Sequence, residues 1–272
     1  MRIFVIRDGT DETKKNLAYL FYYEAEKVFY IELPKEADPW ETPLLLSSFL
    51  KKGEYTVNSY WSRVWVQQRI VPPDRQNINQ ILRDNGLKEY DEFQLLMLVA
   101  GRCEQDEYYL EEITKAELPD EIQKRFERRV EDVVVLGNCT LLVFFRDGVV
   151  RKCDLTEYFA QNRRFAILAK RPDYFSYVQP QTGGYGIRWD DNLFLPDFLL
   201  YKMGKRIWLT AEELRIFVSE EIILGAEAAE MLNCSRQYIN ELVKTGKLHP
   251  VKTSGKTTLF WKKEVLSRRR SQ

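Results

Sequence analysis

Residues 226–248 constrain this chain more than any other segment, because their apolar positions are spaced to close two short helices around one tight turn. In the first helix Ala228, Ala229 and Leu232 share a face with Leu224 just ahead of them, and the alanines are small enough to admit a second helix closely. In the second, Tyr238, Ile239, Leu242 and Val243 fall on one side, while Arg236, Gln237, Asn240 and Lys244 fall on the other. Asn233 stands where the chain must turn and tolerates a left-handed backbone. Ser235 is placed to cap the second helix by accepting from a first-turn amide. Gly246 ends it behind Lys244, a cation at the negative end of the helix dipole.

Residues 247–261 are apolar and β-branched around a Thr253-Ser254-Gly255-Lys256 turn, which predicts a two-stranded wing, and a short helix over 262–270 closes the unit. This succession over 222–269 resembles the excisionase-like, MerR-type winged helix-turn-helix family. The resemblance implies that the second helix enters the major groove of double-stranded DNA while the wing touches the backbone. Arg236, Gln237 and Asn240 are then expected at base edges, each good bidentate contact contributing about 1 to 3 kcal/mol of discrimination. Lys244, Lys247, Lys252 and Lys256, with the Arg268-Arg269-Arg270 tail, are expected on phosphates. Ser235 at the helix start and Ser254 at the wing tip join the expected DNA-contacting set. Tyr238 is included in it as well, although its place at the apolar edge favours packing with the hydroxyl outward. A single module spans few base pairs, so a symmetric operator and a homodimer are expected.

Charge agrees locally. The formal net charge of the chain is +0, yet residues 221–272 carry ten Lys and Arg against five Asp and Glu. The alternative reading of such a module is that it docks protein instead of DNA.

At 272 residues more than one domain is expected, and 44% hydrophobic with 30% charged residues is ordinary for a globular chain. The opening run is interrupted by Arg2 and Arg7, and no apolar stretch approaches a membrane span in length, so a cytoplasmic protein with neither signal peptide nor membrane association is expected. Cys103, Cys139, Cys153 and Cys234 are scattered, and the one histidine is His249, which supports neither a zinc site nor a disulfide framework. No cofactor is expected.

Residues 130–154 give three short β-rich runs broken at Gly137-Asn138 and Asp147-Gly148, then a helical segment near 155–168, and further strands at 175–178, 183–189 and 195–201. The Asp-Gly turn, Ile187-Arg188-Trp189 and Leu200-Tyr201 are similar to a small bacterial α+β domain family of unassigned function, some members of which are joined to helix-turn-helix modules. Gly183-Gly184-Tyr185-Gly186 lacks the ending of a phosphate loop and predicts a turn needing positive φ. Asp190-Asp191 reads as a solvated turn, not a metal pair.

Toward the start, residues 1–6 read as a strand and residues 19–33 as an aromatic hairpin. Helices are expected from Pro39 to Gly53, from Ser59 or Ser62 to the Pro72-Pro73 pair, from Asp74 to Gly86, and over 91–99, the last with Phe93, Leu95, Leu96, Leu98 and Val99 as interior types. The hairpin ending at Ile31-Glu32-Leu33-Pro34, Pro43-Leu44-Leu45-Leu46, the Ile70-Val71-Pro72-Pro73-Asp74-Arg75 run, Ile81 through Leu87, and Asp91 through Leu96 followed by Gly101-Arg102-Cys103 resemble the N-terminal subdomain of HipA-type serine/threonine kinase toxins. No kinase Gly-rich loop or catalytic-loop motif follows. The resemblance implies a free-standing partner-binding domain of the kind that serves as antitoxin to a toxin kinase.

The reading is therefore α+β and multidomain: an N-terminal α+β partner-binding domain over 1–120, a small antiparallel-sheet α+β domain over 129–204, and a winged helix-turn-helix over 220–270. Three classes of function stand: a DNA-binding regulator whose front half binds a partner such as a toxin kinase, a pure protein adaptor, and an enzyme. The third lacks a convincing nucleophile and base pair, and no catalytic residue is assigned.

Overall fold

A computed structural model describes residues 1–10, 15–137, 139–206, 211–255 and 257–269. The architecture is α+β with several antiparallel sheets, and the chain forms two compact units, Met1–Val130 with Pro180–Gly186, and Glu131–Gln179 with Ile187–Gln272.

The first unit is organised by a five-stranded sheet in the order β4-β3-β2-β1-β5. Its strands are β1 (Arg2–Asp8), β2 (Asn16–Tyr23), β3 (Val28–Glu32), β4 (Thr56–Val57) and β5 (Tyr108–Ile113). The continuous apolar runs of β1 and β2 require cover on both faces, and period-two alternation sorts them. Phe4, Ile6, Leu20, Tyr22 and Ile31 pack against Leu46, Trp65, Val66 and Leu96 from helices α1 (Leu44–Lys51), α2 (Ser59–Gln67) and α4 (Glu92–Leu98). Ile3, Val5, Tyr19, Phe21 and Tyr30 face Leu118, Ile122 of α5 (Asp120–Glu127), and Tyr185. The Tyr185 ring is stacked on Tyr30 at 3.6 Å, and the Arg129 guanidinium lies 3.8 Å from its centroid. Glu32, 1% exposed, receives Arg129, 2% exposed, and Arg125 at 3.0 Å.

Two expected helix starts move. Residues 39–42 form turns around Asp38, which accepts from the Trp40 amide at 2.8 Å, and α1 begins at Leu44 behind Pro43. The cause is Pro43 itself, which disfavours helical backbone at the residue before it. Likewise α3 (Ile78–Asp84) starts after Asn77, because Pro72 to Arg75 closes a separate turn with the Arg75 amide on the Pro72 carbonyl. Of the apolar residues expected inside α4, Leu95 and Leu96 are buried, while Leu98 and Val99 are exposed: two helical turns offer one face to the sheet.

The second unit holds a sheet in the order β12-β8-β7-β6, from β6 (Val130–Gly137), β7 (Thr140–Phe145), β8 (Val150–Asp154) and β12 (Lys205–Arg206). The Asp147-Gly148 turn forms as its sequence demands: Gly148 has φ +78° and Asp147 accepts from the Val149 amide at 3.0 Å. Helices α6 (Thr156–Gln161), α7 (Ala166–Lys170) and α8 (Pro172–Phe175) surround a ring cluster of Phe159, Phe165, Phe175 and Trp189, whose indole donates to the Phe175 carbonyl at 2.9 Å. Phe175 thus ends α8 and residues 176–178 leave it in a turn, not in a strand. Short strands β9 (Gln179–Pro180), β10 (Gly186–Arg188) and β11 (Phe194–Pro196) follow, and residues 197–201, expected to be strand, belong to α9 (Asp197–Met203), which Pro196 and Asp197 open. The chain continues through α10 (Ala211–Glu221), β13 (Ile222–Leu224), α11 (Gly225–Met231), α12 (Arg236–Lys244), β14 (Pro250–Ser254), β15 (Thr257–Trp261) and α13 (Lys262–Arg269). Among the described residues no helix is long and apolar enough to cross a membrane.

Candidate nucleic-acid interface

The C-terminal elements build a miniature core from Ile223, Ala228, Ala229, Leu232, Ile239, Leu242, Leu248, Phe260 and Val265. Strand β15 is central in the order β13-β15-β14, pairing Ile223 with Phe260 on one side and Thr253 with Thr258 on the other. Helix α11 begins where the Leu224 amide donates to Glu227 at 2.6 Å. Leu224, expected on the core face, is 46% exposed, and Ile223 takes its place. The reason is that Leu224 belongs to β13, where successive side chains point to opposite faces.

The turn and caps are local chemistry. Asn233 has φ +50°, and its amide closes the turn on Glu230, while the Cys234 amide reaches the Ala229 carbonyl at 2.9 Å. Ser235 then caps α12, its hydroxyl accepting from the Tyr238 amide at 3.2 Å. At the far end Gly246, φ +64°, lets the Lys247 amide return to the Leu242 carbonyl at 2.8 Å and carries Leu248 into the core.

These caps fix which face of α12 meets solvent. Ile239 and Leu242 are buried, whereas Arg236, Gln237, Asn240 and Lys244 are exposed on an arc of about 100° at 3.6 residues per turn. With nine residues α12 is about 13 Å long, and a helix of ordinary girth fits the B-DNA major groove, about 12 Å wide. Tyr238 is 37% exposed beside this face, and Glu241 is exposed on its margin. An open groove of about 510 Å³ runs along the turn, lined by Ala226, Ala229, Glu230, Asn233, Cys234, Ser235 and Arg236. Burial pushes the Cys234 thiol up from its ordinary value, which keeps it protonated.

Lys247 is exposed between α12 and the wing, and every residue of β14 is exposed, including Lys252 and Ser254. The ladder is irregular between Pro250 and Lys252, so Val251 stands out from the edge strand, an apolar position that composition gave no reason to single out. Lys256 and Arg270 lie outside the described residues. Among the described residues no ion pair joins Arg236, Lys244, Lys247 or Lys252 to a carboxylate. Three other basic residues of the segment are engaged. His249 Nδ1 lies 2.8 Å from Glu264, which also accepts from the His249 amide at 2.9 Å. Lys262 and Lys263 donate to the carbonyls of Glu220 and Glu131. No signal in the linear pattern separates these inward lysines from the outward ones, because the distinction rests on strand pairing far along the chain.

No curated protein matches the chain. A solved structure of a candidate DNA-binding protein from Nitrosomonas europaea is 19% identical, over 45% of this chain and 79% of that one, at a TM-score of 0.26, too low to equate the two folds. Residues 226–272 match the family described as helix-turn-helix domain, the stretch that holds the helix, turn, helix and wing described above.

Proposed function

We propose that this chain is a sequence-specific, DNA-binding transcriptional regulator and not an enzyme. One observation carries the reading: a rigidly capped α12 presents Arg236, Gln237, Asn240 and Lys244 together to solvent, with Lys247 and Lys252 unpaired beside it. Arg and Asn have the donor and acceptor geometry to read guanine and adenine edges, and the lysines suit phosphates. Ser235, Tyr238, Ser254 and Lys256 complete the proposed contact set. A homodimer on a symmetric operator, in the cytoplasm, is the expected working form.

The finer proposal makes the chain an antitoxin-like autorepressor whose first unit holds a HipA-type toxin kinase. Exposed aromatics support a docking surface there: Trp40 is 86% and Tyr60 67% exposed, Trp61 meets Tyr60 edge to face at 5.1 Å, and the Lys51 ammonium stands 4.8 Å from the Trp40 ring. Aromatic residues are enriched at protein interfaces relative to the rest of the surface.

The test recovers the tagged full chain from its native cells, sequences the bound DNA and identifies bound protein in the same sample. Enrichment of a short palindromic site, lost in the Arg236→Ala and Asn240→Ala variants with folding intact, supports the regulator. A bound kinase that survives those variants but not Trp40→Ala with Tyr60→Ala supports the antitoxin role. Protein without any enriched DNA leaves the adaptor reading.

A further inference from the structure

Helix α12 carries a single carboxylate, Glu241, and its place on the helix is at odds with a polyanionic partner. The buried direction of α12 lies midway between Ile239 and Leu242. At 3.6 residues per turn, Gln237 and Lys244 point about 170° away from that direction, Asn240 and Glu241 about 130°, and Arg236 about 90°. Glu241 is therefore turned outward as far as Asn240, on the other side of the face, and farther than Arg236. Its neighbours one turn before and after are Gln237 and Lys244. Among the described residues its carboxylate takes no hydrogen bond or ion pair, while its own carbonyl receives the Thr245 amide and hydroxyl at 2.9 Å each. Glu227 and Glu264, elsewhere in the module, are held by the Leu224 amide and by His249.

We propose that Glu241 is a specificity-determining residue of the DNA interface, which accepts from a cytosine N4 amino group and excludes the other bases at that position. This role rests on the DNA-binding reading of the module, to which it adds a base identity. In the major groove an exposed carboxylate meets phosphates and the acceptor edges of guanine and thymine, all of which repel it. An amino group is the partner left to it. Cytosine offers its amino group with no acceptor beside it in that groove, whereas adenine sets N7 next to its own. The cationic residues around Glu241 raise affinity for every sequence, and the carboxylate lowers it for every sequence except those with cytosine at one place. Gln237 and Glu241 are four residues apart, about 6 Å along the helix, so that cytosine should lie within about two base pairs of the pair that Gln237 contacts, at about 3.4 Å per step.

The test selects sites for the full chain from a randomised double-stranded DNA library, and then measures affinity for the enriched site and for each single base-pair change in it, at one fixed salt concentration. Glu241→Ala and Glu241→Gln are measured beside the wild type; both residues are good helix formers at an exposed position, so the fold is kept. In Glu241→Ala the preference for C·G should fall about tenfold at one position near that read by Gln237, because the other base pairs gain affinity there, with every other position unchanged. Glutamine pairs an acceptor with a donor, which suits adenine, so Glu241→Gln should move the preference at that position toward A·T. An equal rise in affinity for all sequences in both variants, with no position altered, would overturn the proposal and leave the regulator reading in place. A wild-type chain that enriches no site would overturn the regulator reading and this role with it.

Discussion

Replacing Glu32 by Leu should unfold the first unit well below the wild-type transition, and the geometry sets the size of the effect. The Glu32 carboxylate is 1% exposed and takes Arg129, Arg125 at 3.0 Å, and the Thr56 hydroxyl at 3.1 Å. Arg125 has other outlets, donating to the carbonyls of Tyr55 and Leu33 at 2.8 and 2.6 Å. The Arg129 guanidinium is 2% exposed and lies against the Tyr185 ring, so removal of the carboxylate takes this anion away from a buried cation. Breaking a buried pair from one side costs about 3 to 5 kcal/mol, which for a unit of this size lowers the transition by roughly 10 to 20 °C. Replacing both partners by apolar residues of similar volume leaves no buried charge, so Glu32→Leu with Arg129→Met should recover most of the loss. Thermal and urea unfolding followed by circular dichroism would measure both variants. A single variant that loses less than about 1 kcal/mol, or a double variant no better than the single one, would refute the reasoning that the desolvated guanidinium dominates the cost.

Ser235→Ala removes the one side-chain acceptor on the α12 amides and should cost about 1 kcal/mol in the transition of the C-terminal module, with Ser235→Asp restoring it. Gly184→Ala would drive a Cβ into the Val130 carbonyl at a residue with φ +76°, so the first unit should lose more than the roughly 1 kcal/mol of a simple left-handed strain, as read by urea denaturation. On an enriched DNA site, Lys247→Ala and Lys252→Ala should each flatten the slope of log affinity against log salt by about 0.9, whereas Lys262→Ala should leave that slope unchanged and lower stability instead.

The parts that were legible in the linear pattern are those whose physics is local. Asn233, Ser235 and Gly246 announce a turn, a cap and a stop because each acts on amides within a few residues, and all three occupy those positions. Asp147-Gly148 and the aromatic hairpin are readable for the same reason. The failures are places where a second local rule, or a distant partner, overrides the first. Pro39 looks like a helix start until Pro43 is weighed against it. Residues 197–201 look like the continuation of a strand until Pro196 and Asp197 are read as the opening of a helix. Nothing local identifies Tyr185 as the side chain that stacks on Tyr30, or Arg129 as the partner of Glu32, 97 residues away.

Charge shows the same division most sharply, because a count over residues 221–272 treats every cation as equally available to an anionic partner. The fold does not. Lys262 is held by the Glu220 carbonyl of α10, Lys263 by Glu131 at the edge of the sheet, and His249 by Glu264, so the outward field comes from Arg236, Lys244, Lys247, Lys252 and Arg268 among the described residues. The first four are set by one capped helix and the hairpin that follows it, which places a compact positive patch beside Gln237 and Asn240, the two uncharged amides able to discriminate between bases. On the proposed contact set, affinity and specificity would be carried by neighbouring residues on one small surface, while Lys262 and Lys263 tie α13 to α10 and to the edge of the sheet. A change at Lys262 or Lys263 would act through the packing of α13 and not through the loss of a phosphate contact, so salt dependence and unfolding separate the two roles.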